Sequence, residues 1–263
     1  KIEIAGPGFI NFTISSEHLF TMLEIGRKSG NGWGQSLRMQ DEQILIEYTS
    51  PNLFKPLHIG NLVGNVVGES LSRLLECAGA DVKRINYPSD IGLTVAKGVW
   101  GLQKTGGDPK DIRALGEAYR VGNEAYEHDP AAKAAIDDIN QKLYEGSDEE
   151  LNALRNAGKE TSCVHLEEIC RALGTSFDLQ IFESEAGPIG KELVLAHIDG
   201  IFEKSDGAVI YPGEREGLHT RVFINSLGLP TYEAKDLGNF ALKRKQYPDF
   251  SASFLVTGSE QRE

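Results

Sequence analysis

Residues 43–61 read QILIEYTSPNLFKPLHIGN, and this stretch decides the fold. Gln43 to Tyr48 is an apolar run of strand composition, and a loop then leads to His58-Ile59-Gly60-Asn61, where a helical pattern begins. Leu62, Val63, Val66, Val67, Leu71, Leu74, Leu75 and Ala78 recur at helical spacing, with Asn65, Glu69, Ser72, Arg73 and Glu76 on the other side. Gly79 stands where the helix should stop, and 82–87 is again strand-like. Strand, helix and strand make a βαβ unit, so the expected fold class is α/β with a parallel sheet. Such sheets bind ligands beyond the carboxyl ends of their strands, where the 49–61 loop falls. A helix start offers free N–H groups and the positive end of a dipole, which suits phosphates. Gly60 lets a phosphate or base approach the backbone, and His58 can donate to phosphoryl oxygens. A nucleotide site is the leading reading.

The 263 residues suffice for one large domain or two modest ones, and the net charge of −12 argues against a nonspecific nucleic-acid binder. Lys243-Arg244-Lys245 is the one short basic cluster and reads as a solvated helix end. Three cysteines suggest a reducing compartment, and the spacing of Cys163, His165 and Cys170 fits buried packing better than zinc. No apolar stretch has the length of a bilayer span, and no signal-peptide pattern opens the chain, so a cytoplasmic protein is expected. Both ends read as cuts through a larger protein.

Elsewhere, residues 2–15 alternate around Gly6-Pro7-Gly8, and Ser15 or Ser16 caps a helix over 17–27. A helix follows Asp90-Ile91-Gly92 and ends near Thr105. Asp129-Pro130 opens another that Gly146 closes, and Ser147 to Glu150 forms a capping box for the next. A strand is expected over 177–182 and a helix over 191–204. The α/β pattern should resume at Gly207 with strands over 208–211 and 220–225, a helix over 232–245 and a buried strand over 254–257.

Several separated segments carry a family likeness. Pro51-Asn52-Leu53-Phe54-Lys55-Pro56-Leu57-His58-Ile59-Gly60-Asn61 resembles the signature region of class I aminoacyl-tRNA synthetases. Its flank IEYTSPN (46–52), with INYPSDIG (85–92), SDGAVIYP (205–212) and LPTYEAKDLGNFALKR (229–244), is similar to arginyl-tRNA synthetase in particular. The opening IEIAGPGFINFTIS resembles the end of that family's N-terminal extra domain. The resemblance covers nearly the whole chain and is weakest within 108–160. It implies a Rossmann-like fold of the HIGH-superfamily nucleotidyltransferases. On that basis 1–38 is the end of the extra domain and a linker, and 39–103 is the first half of the catalytic domain. A helix-rich insertion spans 104–206 and the second half spans 207–263, with stem and anticodon-binding domains beyond.

The implied activity joins L-arginine to tRNA(Arg) through arginyl-adenylate, with ATP as substrate, Mg2+ from solution, no protein-bound metal and a monomeric enzyme. His58 would hold the phosphates; Asn61 stands where the family usually has a second histidine and can donate but never become cationic. Lys55 either neutralises triphosphate charge or is a solvated lysine. Gly60, and Gly258 after the last strand, would border ATP. Arginine needs carboxylates and acceptors around its guanidinium. The resemblance assigns this to Glu47 and Asn52 from the first strand and loop, Tyr232 and Asp236 one helical turn apart, and Gln261. Asp90 takes an ordering role and Gly92 serves a turn. Two rival readings remain: a cytidylyltransferase-like enzyme using the same histidine turn, and a non-catalytic arginine- or ATP-binding module.

Overall fold

The Gly6-Pro7-Gly8 turn joins β1 (Ile2–Ala5) to β2 (Phe9–Phe12) in an antiparallel hairpin with Ile2 opposite Phe12. The structure, a computed structural model, describes residues 1–258. Ser15 then caps α1 (Ser16–Ser29) by accepting from the His18 N–H.

Next comes β3 (Gln43–Glu47), and the 48–58 loop leads from it to α2 (Ile59–Cys77) and β4 (Asp81–Asn86). β3 and β4 pair in parallel from Gln43↔Asp81 to Glu47↔Ile85, as the sequence pattern anticipates. Four helices follow: α3 (Leu93–Thr105), α4 (Ile112–His128), α5 (Pro130–Glu145) and α6 (Glu149–Leu173). Asp129, Pro130 and Gly146 delimit α5 as expected, with Gly146 left-handed at φ 64°. The cap of α6 is Asp148 rather than Ser147; its carboxylate accepts from the N–H groups of Glu150 and Leu151.

The expected strand over 177–182 is reduced to β5 (Leu179–Gln180). The helix expected over 191–204 starts earlier and ends earlier, as α7 (Glu183–Ala196), and runs through Pro188. β6 (Glu203–Ser205), β7 (Ala208–Tyr211) and β8 (Arg221–Ile224) form an antiparallel sheet of their own, so the parallel sheet does not resume at Gly207. It regains a strand only after α8 (Tyr232–Gln246), at β9 (Ala252–Leu255), in the order β5-β4-β3-β9. β9 is an edge among the described residues, with Phe254 and Leu255 about half exposed, in place of the buried strand expected.

Alternation along β3 assigns its side chains to two cores. Ile44, Ile46 and Tyr48 pack with Val82, Leu71 and Leu75, whereas Leu45 packs with Ile85, Tyr87, Ala186 and Phe250. Glu47 has the parity of Leu45 and therefore turns toward α7 and α8.

α2 presents to the sheet a mixed face, with Leu71 and Leu75 beside polar residues, in place of the wholly apolar one its periodicity suggests. Its buried residues are Asn65, Gly68, Glu69 and Ser72, while Val63, Val66, Val67 and Leu74 are 49–68% exposed. The cause is close approach: a Cβ on Gly68 would lie 2.2 Å from Tyr48 Cγ, so only glycine permits the contact. The polar neighbours are satisfied there, since the Tyr48 hydroxyl donates to Glu69 (2.7 Å), which also pairs with Arg84.

α7 and α8 are clasped in the same way. A Cβ on Gly190 would stand 1.7 Å from the Ala234 carbonyl oxygen, and one on Gly238 1.9 Å from that of Ala186. Gly238→Ala should therefore lower unfolding free energy by roughly 1–3 kcal/mol in urea denaturation. An unchanged midpoint would contradict the contact.

Candidate active site

The loop between β3 and α2 is held in a strained shape. Thr49, Ser50 and Phe54 have φ of 72°, 35° and 68°, values that non-glycine residues adopt at a cost. The strain is held by many small constraints. The Ser50 N–H donates to Asn86 Oδ1, the Tyr87 N–H donates to Ser50 Oγ, the Leu53 N–H donates to the Ser89 carbonyl, and the Ser89 N–H donates to the Pro51 carbonyl. Phe54 is fully buried in the core of α3–α6, and any Cβ on Gly98 or Gly158 would strike its ring. Leu53 and Phe54, members of the signature string, are therefore packing anchors.

The loop delivers His58 to the start of α2. Its Nδ1 accepts from the Gly60 N–H (3.1 Å), while the His58 N–H donates to Asn61 Oδ1 (3.1 Å). An accepting Nδ1 leaves the proton of the neutral ring on Nε2, an outward donor suited to an anion. A Cβ on Gly60 would stand 3.0 Å from that ring, so glycine makes room for the cap itself. Asn61 spends its oxygen on the cap and keeps its amide N–H groups as donors. A cavity of about 290 Å3 opens between this helix start and Ile169, Cys170 and Leu173 of α6. Half-buried Lys55 turns toward α4, its ammonium 5.5 Å from the Tyr119 ring centroid, and burial pushes its pKa down.

A second group of polar side chains lies along the seam between β3, α7 and α8. Glu47 Oε2 accepts from Asn239 Nδ2 (2.8 Å) and from Lys243 Nζ (2.5 Å). Glu183 pairs with Lys235 at 2.5 Å. Asp236, one turn before Asn239, makes no ion pair or hydrogen bond among the described residues. Asp236 is solvent-exposed as a residue, yet desolvation of its carboxyl, then Glu47 and Glu183, raise that carboxyl to about 6, against the lowering pull of Lys243. The Tyr87 hydroxyl is buried with no hydrogen-bond partner among the described residues. Burial, then Glu183, Asp236 and Glu47, push its pKa up, so all three carboxylates act on one point. Tyr232 is largely exposed, with the Lys235 ammonium 5.2 Å from its ring centroid.

Asp90 fixes the start of α7. Wholly buried, it accepts from Arg155 (2.7 Å), Lys159 (2.7 Å) and both the N–H (2.9 Å) and hydroxyl (2.7 Å) of Ser184. The neighbour of Ser184 in the chain is Glu183, so this knot sets where the Glu183–Lys235 pair stands.

A family model described as tRNA synthetases class I (R), catalytic domain, matches residues 28–263. The chain belongs to this family. It is 30% identical to the arginine–tRNA ligase of Borreliella burgdorferi over 99% of its own length and 47% of that protein, so it spans about half of the curated relatives it matches. Among solved structures, Thermus thermophilus arginyl-tRNA synthetase superposes with a TM-score of 0.65 at 25% identity, over 92% of this chain and 42% of that one. The Plasmodium falciparum arginyl-tRNA synthetase covers 99% of this chain and 46% of its own at a TM-score of 0.67; at 19% identity this is a likeness of fold.

Within this synthetase domain, Glu47 and Asp236 share one seam, and Asn52 is bridged to Ser89 beside it. The cavity at His58 is lined by neither Asp236 nor Glu47. Gly258 follows β9 as the last described residue, and Gln261 lies outside the described residues. Sequence reading missed Glu183, Lys235 and Asn239, and it placed Lys243 in a solvated cluster, whereas Lys243 is only 6% exposed. The usable signal was spacing: Asn239 and Lys243 follow Asp236 by three and seven residues, on one helical face.

The raised carboxyl of Asp236 gives a signed prediction. Its fold value near 6 exceeds the ordinary 3.8, so the folded chain binds this proton more tightly than the unfolded one. Its charge therefore destabilises the fold above pH 6, and the penalty vanishes below about pH 4. Asp236→Asn should raise the thermal midpoint at pH 8 and leave it unchanged at pH 3.5, in parallel melts of the two proteins. A lowered midpoint at pH 8 would contradict the unpaired state of this carboxylate.

Proposed function

We propose that the full-length protein carrying this chain is an arginine–tRNA ligase, which forms arginyl-adenylate from L-arginine and ATP and transfers the arginyl group to tRNA(Arg). The carrying observation is Asp236, which has no ion pair or hydrogen bond among the described residues and whose carboxyl feels Glu47, at the sheet end whose loop presents the His58 Nε2 donor. A guanidinium is a permanent cation with five N–H donors in a plane, and a carboxylate without a partner is its natural complement.

The reaction asks little covalent chemistry of the protein. The arginine carboxylate attacks the α-phosphorus of ATP, pyrophosphate leaves, and the terminal adenosine of the tRNA later takes the arginyl group as an ester. Catalysis then consists of alignment and of donors aimed at phosphoryl oxygens as charge builds. The side chains of His58 and Asn61 supply donors at the positive end of the α2 dipole, and Mg2+ from solution would accompany ATP. Lys55 contributes positive charge only if it swings away from Tyr119. Glu47, Asp236 and Tyr232 hold the guanidinium end, Asn52 and Gln261 the remainder of arginine, and Gly60 and Gly258 border the nucleotide.

The proposed division keeps 1–38, 39–103, 104–206 and 207–263 as units, with β5 as the one strand that the third lends to the parallel sheet. A monomer in the cytoplasm is proposed with it; no helix among the described residues is long and apolar enough to cross a membrane.

Arginine-dependent exchange of pyrophosphate into ATP by the full-length protein, with tRNA present, tests the reading. Asp236→Ala should raise the KM for arginine at least about tenfold and spare that for ATP. His58→Ala should slow single-turnover adenylate formation on the order of 100-fold. Exchange that ignores arginine, or an unchanged arginine KM in Asp236→Ala, would overturn it.

A further inference from the structure

Lys235 is a buried lysine one turn along α8 from an exposed tyrosine. It is 4% exposed, whereas Tyr232, the first residue of the helix, is 68% exposed. The Lys235 ammonium lies 5.2 Å from the Tyr232 ring centroid and 5.6 Å from that of Tyr144, and it pairs with Glu183 Oε2 at 2.5 Å. The Tyr144 hydroxyl comes to the same place: a Cβ on Gly92 would stand 3.6 Å from that oxygen and 3.7 Å from Lys235 Nζ. Burial raises the pKa of this hydroxyl, and Lys235 pulls it back. One ammonium of α8 thus gathers α7 through Glu183, α5 through Tyr144 and the Gly92 turn before α3.

A buried ion pair adds little to stability, because the attraction is largely offset by the loss of hydration, so the Glu183–Lys235 pair calls for another use. Tyr232 supplies one. An exposed ring has few neighbours to select its rotamer, and a binding residue whose rotamer is free must be ordered again each time a ligand arrives. A cation against an aromatic ring is worth about 0.5–2 kcal/mol, enough to favour one orientation. The cation can do this only if it is itself held. Glu183 and Tyr144 hold it, and Glu183 is placed in turn by its neighbour Ser184, whose N–H and hydroxyl both donate to Asp90.

We propose that Lys235 is a positioning residue for arginine: held by Glu183 and Tyr144, its ammonium fixes the ring of Tyr232 in the orientation that receives the guanidinium. The proposal rests on the arginine reading above and deepens it. Lys235 acts through Tyr232 and needs no contact with the substrate. Glu183 offsets its charge, so the arriving cation is not repelled. Because Tyr144 belongs to α5, the helix-rich segment over 104–206 contributes to arginine binding through the same ammonium.

A mutant cycle separates action through Tyr232 from a merely structural role. Replacing both members of the ion pair, Glu183→Gln with Lys235→Met, avoids an unpaired buried charge. In pyrophosphate exchange by the full-length protein, with tRNA present, this pair variant should raise the KM for arginine about tenfold and leave that for ATP within about twofold. Tyr232→Ala should also raise the arginine KM, and adding the pair substitution to it should change that KM by less than about twofold. An unchanged arginine KM in either variant, or losses that multiply when the two are combined, would overturn the proposal. If the pair variant does not fold, Tyr144→Phe decides: losing one hydroxyl should raise the arginine KM about threefold in the parent and leave it unmoved in Tyr232→Ala. Equal shifts in both backgrounds, or none in the parent, overturn the proposal. A parent whose exchange ignores arginine would instead sink the functional reading.

Discussion

Two buried ion pairs, Glu47 with Lys243 and Glu183 with Lys235, share the seam between β3, α7 and α8, and the surrounding structure is organised around them. Ionised groups leave water at a cost of several kcal/mol each, so burying Glu47, Glu183, Lys235 and Lys243 requires tight pairing. The pairing depends on geometry imposed from outside the seam. Asp90 pins the start of α7, and Gly190 and Gly238 let α7 and α8 approach until carbonyl oxygens fill the space of absent methyl groups.

The strained 49–54 loop links this seam to the helix start. β3 ends at Glu47, and eleven residues later the chain reaches His58. Non-glycine residues held at positive φ, pinned by Asn86, Ser89 and Ser162, keep that path short and fixed. Phe54 locks it from beneath into the helical block of α3–α6. One loop thus connects the residues proposed for arginine with those proposed for phosphate, and the helical block acts on both through packing.

Much of this was legible in the residues. The apolar run, the loop and the helix start announced β3, α2 and β4, and Asp129, Pro130 and Gly146 marked the ends of α5, because caps and turns are local physics. Tyr232 and Asp236 fell on one helix by spacing. What escaped was partnership. Periodicity along α2 reports where apolar side chains lie, yet Gly68 against Tyr48 brought Asn65, Glu69 and Ser72 inward beside Leu71 and Leu75. A lysine in a buried pair reads like a solvated one, so Lys243 passed as part of a surface cluster. Strand composition over 208–211 and 221–224 carries no mark of the sheet it joins. Glu183 and Asn239 gained meaning only once Lys235 and Glu47 stood beside them.

A crystal structure of the full-length protein with L-arginine and a non-hydrolysable ATP analogue tests the account most directly. The account predicts the guanidinium within hydrogen-bond reach of Asp236 and Glu47, at about 2.7–3.2 Å, with a phosphate oxygen on His58 Nε2. A guanidinium bound elsewhere, with Asp236 still unpaired and Lys243 alone on Glu47, would contradict it.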